Sequence, residues 1–170
     1  MIQIDDSGWG SLLGGVIIGM YNTETRKFKA KIIPVSYFQG STFKKAKYRD
    51  YATKIVLETW PSLGNTNHFQ ICRGTCLDGI YEMLDHYIKP DYRRIERVEI
   101  GDPLQSLLEE KFASSLQRIG VPKRTDGAHC LSFNNQLNWI KENPSRVKYV
   151  KTGWDSWNKK YKKECLNGKT

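Results

Sequence analysis

Asp5-Asp6-Ser7-Gly8-Trp9-Gly10-Ser11-Leu12-Leu13-Gly14-Gly15-Val16 is the stretch around which the rest of the chain can be organised. Before it, Ile2 and Ile4 alternate with polar residues, the two-residue period of a strand with one buried face. After it, Gly15-Val16-Ile17-Ile18-Gly19-Met20-Tyr21 is nearly all apolar, as a strand covered on both faces is. Two adjacent acids therefore end one strand, and a glycine-rich turn leads into the next. Asn22-Thr23-Glu24-Thr25 has turn composition, and Phe28 to Val35 reads as a third strand. The connections are too short for crossovers, so the three strands form an antiparallel meander.

Further on, Lys44 to Leu57 reads as a helix with Tyr48, Tyr51, Ala52, Ile55 and Val56 on one face, closed by Trp60-Pro61-Ser62. Phe69 to Cys72 is a short strand. Leu77 to Ile88 is a helix with Leu77, Ile80, Leu84 and Ile88 inward, and Thr75 with Asp78 resembles a capping box. Arg94 to Ile100 alternates as a fifth strand. Pro103 to Ile119 is the clearest helix, with Asp102 as cap, Gln105 completing a box-like start and Gly120 as exit. Its stripe is Leu104, Leu108, Phe112, Leu116 and Ile119. Leu131 to Glu142 reads as a helix and Arg146 to Val150 as a short strand. The expectation is one α/β domain over residues 1–170, a mixed five-stranded sheet flanked by helices, with a basic aromatic extension at about 151–170.

This element order is that of the ribonuclease H-like superfold, and the first motif resembles that of ribonuclease HII. There an Asp-Glu pair precedes Ala-Gly-Arg-Gly and a Gly-Pro-Val strand start. Asp5, Gly8, Gly10, Gly14 and Val16 match, whereas Asp6, Ser7, Trp9 and Gly15 replace the family's residues. Ser41 to Ala52, with Lys44, Lys45 and Arg49, resembles the family's Asp-Ser-Lys-Lys-Leu stretch without its aspartate. Leu77-Asp78-Gly79 and Ile100-Gly101-Asp102 resemble its later acidic positions. The last fifty residues carry no such resemblance.

The resemblance implies a nuclease that hydrolyses phosphodiester bonds in RNA, an RNA/DNA hybrid or structured DNA. The chemistry requires two Mg²⁺ or Mn²⁺ ions about 4 Å apart, clamping the attacking and leaving oxygens. Hard cations want carboxylate oxygens. Asp5, Asp6 and Asp102 are the candidate metal ligands, and Asp78 completes the catalytic set, with Asp50 and Glu58 as helix-borne substitutes. Gly8, Trp9 and Gly10 would contact the nucleic acid together with Lys44, Lys45 and Arg49. Trp9 stands where the family has an arginine, which removes a residue from ribonucleotide-junction recognition.

Each residue also has a plainer reading. Asp5-Asp6 can simply open a turn, Asp78 and Asp102 can be helix caps, and Trp9 can cover a core edge. If those readings hold, the chain is a nucleic-acid-binding module that lacks catalysis. An actin-like kinase also begins with Asp and glycines after its first strand, but needs two such domains, for which this chain is too short.

Lys and Arg number 27 against 18 Asp and Glu, a net charge of +9, which favours polyanions. The longest apolar run, Gly14 to Met20, is too short to span a membrane. Met1-Ile2-Gln3-Ile4-Asp5 lacks the pattern of an export signal, so a cytoplasmic protein with reduced cysteines is expected. His68, Cys72 and Cys76 would share a helix face, and His129 or Cys130 could add a zinc ligand, but the spacing is not that of a finger or ribbon. Small buried thiols are the simpler expectation. In the tail, Trp154, Trp157 and Tyr161 fall on one helical stripe amid Lys159, Lys160, Lys162 and Lys163. Such a helix can bind nucleic acid or dock on the protein with its lysines in solvent.

Overall fold

A computed structural model describes residues 1–64, 66–87, 94–123 and 131–166. Its strands are β1 (Ile2–Ser7), β2 (Val16–Asn22), β3 (Phe28–Ile33), β4 (His68–Cys72) and β5 (Arg94–Val98). The helices are α1 (Gly40–Lys44), α2 (Lys47–Thr59), α3 (Asp78–Tyr87), α4 (Leu104–Arg118), α5 (Phe133–Glu142) and α6 (Lys162–Leu166). The expected class is observed: α/β, with a mixed five-stranded sheet in the order β3-β2-β1-β4-β5.

The residues divide into two compact units. The first comprises Met1–Ser7, Ile17–Ile33 and Tyr48–Leu108. The second comprises Gly8–Val16, Pro34–Lys47 and the described part of Glu109–Thr170.

The sheet belongs to the first unit, with β1 at its centre. β1 runs antiparallel to β2, with Ile2 opposite Asn22 and Ser7 opposite Ile17. It runs parallel to β4, with Ile4 beside Ile71, and β4 runs parallel to β5. The alternation read in β1 is real: Ile2 and Ile4 are fully buried, and so are Val16 and Ile18 in β2. The β2–β3 turn follows from Asn22, whose Oδ1 accepts from the Glu24 and Thr25 amides at 2.9 and 3.1 Å. Its Nδ2 donates to the Leu63 carbonyl, which fixes a buried amide. A five-residue connection cannot form a parallel crossover, so β3 returns antiparallel. Gly19 is required in β2 because a Cβ there would lie 2.4 Å from Leu108.

α2 buries Tyr48, Ala52, Ile55 and Val56, as the periodicity requires, but it begins at Lys47 instead of Lys44. The cause is Ala46, whose φ of 51° interrupts the helix and leaves α1 as a separate short turn. α3 buries Ile80 and Leu84, while Ile88 lies outside the described residues. α4 starts at Leu104, one residue later than expected, and the Asp102–Pro103 peptide is cis.

The second unit packs around Leu12, Leu13, Phe38, Phe112, Leu116, Ile140 and Trp157. α5 begins at Phe133 because Ser132 is its cap and accepts from the Asn135 amide. The strand expected at Arg146 to Val150 is instead a 3-10 turn over Pro144–Tyr149. Asn143 accepts from the Ser145 amide and Pro144 sits at the first helical position, so the local chemistry favours a helical turn. Val150 alone makes a strand contact, an isolated bridge to Leu13. The tail is a docked helix: Trp157 is 1% exposed, and Tyr161 meets Phe133 edge-on with ring centroids 5.1 Å apart.

Candidate functional site

Asp5 and Asp6 lie on β1, the middle strand. Asp5 is buried, and its Oδ1 accepts from the Asp6 amide at 2.7 Å. Burial pushes its carboxyl above the ordinary value, although that amide and the Cys72 thiol both favour the charged form. Cys72 ends β4 and its thiol donates to the Arg73 carbonyl at 3.9 Å; burial and the nearby Asp5 charge raise that thiol. The second acid has a matching partner. Cys76 is buried, and burial together with Asp6 holds its thiol firmly protonated. The Asp6 carboxylate also packs over Gly74, where a Cβ would stand 3.1 Å from Oδ1. Each acid of the motif therefore has a thiol of the β4 strand or the segment after it as an electrostatic neighbour, an arrangement the sequence reading did not anticipate.

Asp78 opens α3 and is not a simple cap. Its Oδ1 accepts from Arg97 Nη2 at 2.6 Å, and its Oδ2 faces Arg49 Nη2 at 3.7 Å. Arg97 also stacks over Tyr81 at 5.3 Å. Arg49, read from sequence as a nucleic-acid contact, is thus committed to an acid read as catalytic. Asp102 does cap: its Oδ1 accepts from the Ser106 amide at 3.2 Å and from the Ser106 hydroxyl. Glu58 is bound by Lys31 at 2.9 Å and Lys54 at 3.7 Å, and those cations lower its carboxyl. Asp50 is exposed in the first turn of α2.

Among the described residues, no three His, Cys, Asp or Glu side chains come together as a metal-binding group. Asp5 accepts from the Asp6 amide, Asp78 from Arg97 and Asp102 from Ser106, and among the described residues these acids do not gather into a group of three. His68 and Cys72 lie on a strand, so they do not share a helix face with Cys76, and His129 and Cys130 lie outside the described residues.

The glycine-rich turn belongs to the second unit. Gly8 has φ +95°, and a Cβ there would lie 2.3 Å from the Phe112 ring, so only glycine fits. Gly10 is exposed, with nothing within 4 Å of its Cβ direction. Trp9 joins an aromatic cluster, 6.0 Å from Phe38 edge-on and 6.4 Å from Phe43. Beneath the turn lies Lys151, fully buried, whose Nζ donates to the carbonyls of Gly8 and Ser11, the latter at 2.9 Å. Its ammonium also lies 5.4 Å from the ring centroids of Phe38 and Trp154. Gln136 completes the support by accepting from the Leu12 amide at 2.9 Å and the Ser11 hydroxyl at 3.1 Å. No protein-family model and no curated protein matches this chain. Lys44 and Lys45, at the end of α1, are exposed, and no carboxylate among the described residues pairs with them. No helix among the described residues is long and apolar enough to cross a membrane.

Proposed function

We propose that this protein binds nucleic acid through the cationic surface of its second unit. The observation that supports this is a set of exposed lysines with no carboxylate partner among the described residues: Lys44, Lys45, Lys47, Lys162 and Lys163. Other basic residues are paired with carboxylates, among them Lys31 with Glu58, Lys141 with Glu164 and Arg146 with Glu142. Unpaired ammonium groups on a chain of net charge +9 favour a polyphosphate backbone by releasing its counterions. The acids of the strand-end motif, meanwhile, lie beside the Cys72 and Cys76 thiols, and Asp5 accepts from the Asp6 amide.

A second reading is a Mg²⁺- or Mn²⁺-dependent nuclease. It is favoured by Asp5 itself, a buried carboxyl beside a second acid on the central strand of a sheet with ribonuclease H-like order. In that reading Asp5, Asp6 and Asp102 would hold the cations after rearranging.

The deciding experiment titrates labelled RNA, RNA/DNA hybrid and branched DNA with purified protein at several salt concentrations, then adds Mn²⁺ or Mg²⁺. Salt-dependent binding without cleavage is the expected result. Metal-dependent turnover that Asp5→Asn abolishes would replace the binding reading with the nuclease. No binding to any of the three would overturn both.

A further inference from the structure

The second unit contains a cavity of about 470 Å³, within the size range of small-molecule sites. Among the described residues its charged lining is entirely cationic: Lys44 from α1 and Lys162 from α6 face it, and no described carboxylate does. Two ammonium groups sharing one space without a protein counterion repel each other, and an anion relieves that repulsion. The polar groups beside them are the hydroxyl-bearing Ser41 and Thr152 and the carboxamide of Asn158. That carboxamide is held in place, because Nδ2 donates to the carbonyls of Thr152 and Trp154 at 3.0 and 3.3 Å. The buried Trp157 contributes the apolar part of the lining. Val147, Gly40 and Gly153 complete the described lining. Gly153 has no room for a side chain, since a Cβ would lie 2.4 Å from that of Phe43, and Gly40 adopts φ +47° with open space around it.

We propose that this cavity is a nucleotide-binding subsite, in which Lys44 and Lys162 hold a phosphate ester. The volume exceeds what one phosphate group needs and leaves room for a sugar and base. Hydroxyl and carboxamide groups suit phosphate and ribose oxygens, and the charged side chains among the described lining residues favour an anion. The inference rests on the nucleic-acid reading and locates one contact within it. The same chemistry is offered by one unit of a strand or by a free mononucleotide.

The test compares wild type with a Lys44→Ala/Lys162→Ala double variant and with a Lys29→Ala/Lys111→Ala control. The control removes the same charge from exposed lysines that do not line the cavity. Anisotropy of a labelled 12-nucleotide strand is followed against salt, and AMP is titrated separately by ¹H–¹⁵N NMR. The pocket variant is expected to bind at least tenfold more weakly, with the salt slope reduced by about 1 to 2, while the control changes less than threefold. Equal losses in both variants would overturn the subsite and leave nucleic-acid binding standing. AMP shifts at Ser41, Thr152 and Asn158 without strand binding would keep the subsite for a free nucleotide and overturn the nucleic-acid reading. Neither strand binding nor AMP shifts would overturn both.

Discussion

Arg97, on β5, donates to the Asp78 carboxylate at 2.6 Å, and so ties the last strand of the sheet to the first turn of α3. Both side chains are about one-third exposed, at 32% and 35%, so solvent screens the pair in part. Arg97→Ala leaves Asp78 with only the longer contact to Arg49, and is expected to cost about 1 kcal/mol in urea unfolding. Arg97→Lys should recover less than half, because an ammonium lacks the planar fork and the stacking on Tyr81. Full recovery by lysine would show that charge alone matters.

The Asp5 carboxyl titrates above its ordinary value, so the folded protein holds this proton more tightly than the unfolded chain. Its contribution to stability is complete below the unfolded value and is lost as pH rises through the folded one. Asp5→Asn should therefore be more stable than wild type in EDTA near pH 7, with the gap closing below about pH 4. Urea midpoints across that range test this, and a gap that widens on acidification would refute it.

Gly8→Ala places a methyl group 2.3 Å from the Phe112 ring on a backbone with φ +95°. Strain and overpacking together should cost about 3 kcal/mol. Adding Phe112→Leu should relieve the steric part but not the backbone part, so the double variant ought to be more stable than additivity allows. Strict additivity would place the cost in the backbone alone.

Lys151 donates to two carbonyl acceptors in the core of the second unit. Lys151→Met keeps the length and removes the donor, leaving the Gly8 and Ser11 carbonyls unsatisfied by this side chain. A loss of about 2 kcal/mol is expected. A variant as stable as wild type would mean that water replaces the ammonium.

The strands were legible because their signals are local. Ile2 and Ile4 alternate, β2 is continuously apolar, and Asn22 dictates its turn through its own side chain. The antiparallel meander of the first three strands followed from short connections. What escaped were features set by distant residues. The spacing of Lys44, Ala46 and Tyr48 shows no break, yet the backbone of Ala46 makes one. Val147, Tyr149 and Val150 look strand-like, yet Asn143 and Pro144 upstream set a helical turn. In the site, Asp102 kept its local role as a cap, whereas Asp78 and Arg49 were read separately and prove to be partners. The two cysteine partners of Asp5 and Asp6 lie more than sixty residues away, and a pairing across parallel strands leaves no periodic trace. Lys151 shows the same limit, since nothing beside Val150 and Thr152 marks it as a core residue.

Each compact unit draws on three separate stretches of chain, and the stretches alternate along the sequence. No single truncation point can therefore deliver either unit alone: removing the chain from residue 109 keeps the first unit but also residues 8–16 and 34–47 of the second, and removing residues 1–7 keeps the second with most of the first. The protein is not modular in the genetic sense. Neither half could have been gained or lost by one fusion event, and functional dissection has to proceed by point substitution.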